Sequence, residues 1–94
     1  MSIHEDWPER PAWSDPDLGD EEDTERHFLR EVTIGRSTAR VEEYHLRMEG
    51  EENAGLVERV GPLVSFSPDD LTPEMAADTL TALTQLLKEY RAAT

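Results

Sequence analysis

Six carboxylates crowd into one short stretch of the chain: Asp15, Asp17, Asp20, Glu21, Glu22 and Asp23. Acid ligands at such spacing could hold calcium. An EF-hand loop beginning at Asp15 would need an oxygen ligand at its fifth position, Gly at its sixth and Glu at its twelfth. Those places hold Gly19, Asp20 and Arg26. The tract therefore reads as a solvated acidic surface that could meet a basic partner.

Other constellations lead to similar exclusions. His4, His27 and His45 show no paired spacing of the kind that places two imidazoles on one helix face. The chain has no Cys, so disulfides and thiolate zinc sites are excluded. Ser37 has no nucleophile-elbow sequence around it, and Gly35-Arg36-Ser37-Thr38 lacks the glycines and Lys of a phosphate loop. Glu42-Glu43 and Asp69-Asp70 are adjacent pairs, so in a strand their side chains diverge to opposite faces. General acid–base chemistry needs two groups converging on one pocket. The expectation is a protein that is not an enzyme, with no catalytic residues, no cofactor and no bound metal.

Trp7 and Trp13 flank a Pro-containing segment, Pro8-Glu9-Arg10-Pro11-Ala12. Indole rings are costly to leave in water and often anchor interfaces. They could fold back on the protein itself or dock into a partner, and the two are not exclusive. In the docking reading Trp7, Arg10 and Trp13 act with Asp15, Asp17, Asp20, Glu21, Glu22 and Asp23 as a partner-binding arm.

Composition sets the frame for these residues. The chain has 94 residues and a formal net charge of −13. Residues 1–27 hold ten acids against two bases, and residues 28–94 hold twelve against seven. Phosphates would be repelled, so direct binding of nucleic acid or an anionic membrane is excluded, and a partner should carry a basic patch. No apolar run approaches the ~20 residues that cross a bilayer. Met1 to Trp7 lacks the basic start and apolar stretch of a secretory signal, and the expectation is a cytoplasmic protein. One domain of this size has a marginal core, which favours a homodimer.

The charge imbalance also suggests a boundary. Residues 1–27 bury too little apolar surface to offset ordering, and are expected to form a largely disordered arm. A small α+β domain should follow over 28–94, a three-stranded antiparallel meander with one long C-terminal amphipathic helix packed on it. Phe28, Val32 and Ile34 share one strand face. Gly35-Arg36-Ser37 offers a turn. In the next strand, about 38–48, Tyr44, Leu46 and Met48 are out of phase with Ala39 and Val41, and a bulge near Glu42-Glu43 would reconcile them, leaving His45 on the polar face. Glu49 to Gly55 suits a hairpin loop. The third strand begins at Leu56, is interrupted by Gly61-Pro62, and must kink there or lie at an edge.

The helix is the clearest element. Thr72 suits the N-cap, Pro73 the first turn and Glu74 the positive end of the dipole. Met75, Ala76, Leu80, Leu83, Leu87 and Tyr90 form a stripe, with Thr79 and Leu86 beside it. Leu80, Leu83, Leu87 and Tyr90 could be core or the seam of a homodimer.

Pro11-Ala12-Trp13, His27 ahead of the first strand, and Leu71-Thr72-Pro73-Glu74-Met75-Ala76 opening a Leu/Ala-rich helix carry a resemblance over most of the chain. The layout resembles a group of small acidic proteins of actinobacteria and their phages for which no function is established. In that group a Cys often follows the Trp, where this chain has Ser14, so no metal or redox role follows from it.

The functional expectation is a non-enzymatic protein-interaction module or small regulator acting through its acidic, Trp-bearing arm. One alternative is an acidic nucleic-acid mimic that blocks a DNA- or RNA-binding protein, and another is a small-ligand or metal-binding protein.

Overall fold

The computed structural model describes residues 7–48 and 56–94. The hairpin loop expected over Glu49 to Gly55, and Ile3 and His4, lie outside the described residues. The fold is α+β: an antiparallel sheet of β1 (Asp20–Glu21), β2 (Glu25–Ile34), β3 (Ser37–Arg47) and β4 (Val57–Ser67), followed by α1 (Pro73–Ala93). The strands lie in sequence order, β1-β2-β3-β4. The expected meander is therefore present with one further strand, since Asp20 and Glu21 pair with His27 and Arg26.

β2 and β3 pair without interruption from Glu25↔Leu46 to Ile34↔Ser37, closed by the two-residue turn Gly35-Arg36. The irregularity expected near Glu42-Glu43 exists, but the extra residue belongs to β4. Glu42 faces Leu63 and Tyr44 faces Val60, so Gly61 and Pro62 together oppose Glu43. Gly61 adopts φ +107°, and a Cβ there would stand 2.7 Å from the Glu42 carbonyl oxygen. Only Gly fits such a bulge.

This placement overturns the expected phase of β3. With β3 itself regular, Ser37, Ala39, Val41, Glu43 and His45 share the helix-facing side, while Tyr44 and Leu46 point to the other. His45, expected on the polar face, is only 1% exposed. Its ring lies 4.8 Å from that of Phe28, and its Nε2–H donates to Glu43 Oε2 at 2.6 Å.

The helix begins as expected. Thr72 is extended, and its hydroxyl accepts from the Met75 backbone N–H at 3.2 Å. Its buried line runs through Thr79, Ala82 and Leu86, rotated from the stripe expected through Leu80, Leu83 and Leu87. Small side chains explain the rotation. Ala82 and Ala39 are fully buried, and fully buried Ser37 donates its hydroxyl to the Met75 carbonyl at 3.1 Å. Close approach at these positions turns the smaller residues inward. The core comprises Trp13, Phe28, Ala39, Val41, Ala82 and Leu86, with Val32, Ile34, Leu83, Tyr90 and Ala93 packed around it. Among the described residues no helix is long and apolar enough to cross a membrane.

Candidate interaction surface

The segment expected as a disordered arm packs, over residues 7–27, against the sheet and helix. Its two indoles supply the missing apolar surface. Trp13 is 4% exposed and sits in the core, its ring 5.7 Å from that of Tyr90 at an interplanar angle of 48°. A tight turn presents it: the Ser14 N–H and hydroxyl both donate to the Pro11 carbonyl, at 3.0 and 2.7 Å. The next residue ties the chain to β2, where the Asp15 N–H donates to the Leu29 carbonyl at 2.9 Å. Arg30 then joins three elements, donating its Nε–H to the Trp13 carbonyl and its terminal N–H to Glu89 Oε1 at 3.0 Å.

Trp7 is also buried, but away from the helix. The guanidinium carbons of Arg26 and Arg47 lie 4.5 and 4.7 Å from its ring. Arg10 stands 5.7 Å from the Phe28 ring and pairs with Glu21 at 3.2 Å. The three expected partner-docking residues Trp7, Arg10 and Trp13 thus engage the protein's own fold. An indole worth several kcal/mol on burial need not wait for a partner when a sheet face lies within reach.

The carboxylates behave differently. Asp17, Asp20, Glu21, Glu22 and Asp23 are exposed, and Asp15 is half-buried. They are held on ordered backbone. The Asp15 side chain accepts from the Asp17 N–H at 2.9 Å, and the Glu22 N–H donates to the Glu25 carbonyl at 2.8 Å. Gly19 makes the close approach of β1 possible, with φ +87° and no room for a Cβ against the His27 carbonyl.

Beside this acidic edge lies a cleft lined by Asp20, Glu22, Glu25, His27 and Tyr44. His27 and Tyr44 are direct cross-strand neighbours, and their rings stack at 4.3 Å and 2°. The Tyr44 hydroxyl donates to Glu42 Oε2 at 3.0 Å, while Arg40 pairs with both Glu42 and Glu31, at 3.3 and 2.7 Å. The hydrogen bond to Glu42, then partial burial and the carboxylate's charge, raise the Tyr44 phenol above its ordinary 10.0. Carboxylates and aromatic rings lining one cleft form a chemistry suited to an ammonium or guanidinium group. Among the described residues no cluster of three or more His, Asp or Glu side chains could hold a metal ion.

Sequence reasoning identified the acids but not His27, Tyr44 or Glu25 as their neighbours. The pairing of β1 with β2 brings them together, and two exposed residues give no hydrophobic pattern from which to read a strand. Of the expected seam, Leu83 and Tyr90 join the core margin, while Leu80 and Leu87 remain 67% and 36% exposed.

Comparison with protein-family models, with curated proteins and with solved structures gives no match.

Proposed function

We propose that this chain is a non-enzymatic interaction module, a small regulator that binds a protein partner through a basic patch on that partner. The carrying observation is the exposed edge of Asp17, Asp20, Glu21, Glu22 and Asp23 beside the His27–Tyr44 stack. A Lys or Arg side chain entering the cleft would meet carboxylates at its charge and aromatic faces along its stem. The surrounding acids accelerate and steer the encounter. Trp7 and Trp13 serve this function by anchoring the edge to the domain.

An oligo-arginine peptide is a suitable probe, followed by fluorescence anisotropy at about 150 mM salt, where the Debye length is about 8 Å. Neutralising Asp20, Glu21, Glu22 and Asp23 to their amides should weaken binding about tenfold or more, several charge-assisted contacts being lost. The control neutralises Glu58, Asp69, Asp70 and Glu74, which changes net charge equally. Equal weakening by both sets would reduce the attraction to net charge and contradict a local site.

A second reading gains from the same geometry. With the acids fixed on a folded edge rather than a loose arm, a nucleic-acid mimic becomes structurally reasonable. It differs in requiring many carboxylates at once, so single neutralisations would each have small, similar effects.

A further inference from the structure

Half of the large apolar side chains that stand exposed among the described residues belong to one strand, β4. Val60, Leu63, Val64 and Phe66 lie on β4, Leu80 and Leu87 on α1, and Met48 with Leu56 at the end of the β3–β4 hairpin. Leu87 and Val64 line one apolar groove together with Val41, Pro62, Leu86 and Tyr90. β4 is also an outer strand, with no further strand beside it among the described residues. Its exposed apolar residues point to both faces: Val64 and Phe66 share the helix side with Val41 and Ala39, while Leu63 lies opposite Glu42 on the other. A helix or loop laid on one face would leave the other uncovered. A strand added at the edge flanks both.

We infer that β4 pairs antiparallel with β4 of a second copy of this chain, joining the two sheets edge to edge. The bulge fixes where this can happen. Pro62 offers no N–H and Gly61 bends the strand, so the pairing run is Leu63–Ser67, about 17 Å of ladder. A two-fold axis at Ser65 places both helices on the same side, with Val64 of each copy facing Phe66 of the other.

Charge selects a second copy over another strand. From Leu56 to Ser67 the chain carries only Glu58 and Arg59, which cancel, in a protein of net charge −13. A basic partner is drawn to the acidic edge, not to this neutral one. Two copies joined through β4 also hold their acidic edges at opposite ends of an eight-stranded sheet. Seven strand spacings put β1 about 33 Å from its twin, several Debye lengths at physiological salt. Joining through the β1 edge would instead bring the two acidic tracts together.

Sedimentation equilibrium at micromolar concentration should give twice the 10.7 kDa chain mass. Val64→Lys with Phe66→Lys sets a lysine of one copy against a lysine of the other on both sides of the axis and should return the mass to one chain, with the helical circular dichroism retained. Because the chain has no Cys, Ser65→Cys gives an unambiguous second readout that leaves the apolar residues intact. Mild oxidation should link Ser65→Cys into a covalent dimer, whereas Glu21→Cys on the opposite edge should stay unlinked. A wild-type chain that sediments as a monomer would overturn the inference. So would a dimer that survives the lysine pair, or one in which Ser65→Cys links no faster than Glu21→Cys.

Discussion

The ring of Trp13 lies 5.7 Å from that of Tyr90, a residue of the last helical turns, and the contact closes the N-terminal segment onto the C-terminal helix. Arg30 reinforces it from β2, bonding the Trp13 carbonyl on one side and Glu89, the neighbour of Tyr90, on the other. The Trp13 end of the N-terminal segment is therefore tied to the core.

Trp13→Ala should consequently destabilise the whole protein, by about 3–5 kcal/mol, as expected for a large aromatic removed from a core. Trp7→Ala removes a buried ring that lies by Arg26 and Arg47 outside the main core cluster, and should cost less, about 2–3 kcal/mol. Urea denaturation followed by circular dichroism measures both. Equal, small losses would show that Trp13 does not belong to the core.

Gly19→Ala should release β1 from β2. Its φ of +87° is strained for Ala, and the new Cβ would run into the His27 carbonyl. A loss of about 1–3 kcal/mol is expected. Amide exchange should rise around Asp20 and Glu21 more than in α1, and uniform acceleration would contradict a local effect.

Overpacking probes the close approach of helix and sheet. Ala82→Leu adds three carbons where Ala82 and Ala39 are both fully buried. It should destabilise by about 1–3 kcal/mol. The same change at exposed Ala77 should be nearly neutral, and thermal melts of the two variants compare them directly.

The Tyr44 phenol gives a pH test. Its folded pKa is raised above 10.0 by the hydrogen bond to Glu42, so its contribution to stability is complete below the unfolded value and is lost as pH rises through the folded one. In a Tyr90→Phe background the tyrosinate absorbance should appear above the ordinary range, and Glu42→Gln should lower its midpoint. No shift in that variant would remove Glu42 as the cause.

The helix, its Thr72 cap and its start at Pro73 were readable because local chemistry alone determines them. The α+β class and the face shared by Phe28, Val32 and Ile34 were readable from period-two spacing. The phase of β3 was not, because the compensating residue lies on β4, and Gly61-Pro62 marks an interruption without saying which strand absorbs it. The order of residues 7–27 was hidden for a related reason. Composition weighs a segment against water, whereas Trp13 is weighed against a groove built from Phe28, Val41 and Leu86. The acidic residues were legible one by one, but the His27–Tyr44 floor beside them exists only through strand register.

Amide chemical-shift mapping of the full chain with an oligo-arginine peptide would locate the surface that takes a basic partner. Perturbations should concentrate at residues 17–27 and around Tyr44, with α1 little affected. Shifts spread evenly over the acids of α1 and β4, or none at the β1 edge, would contradict that location.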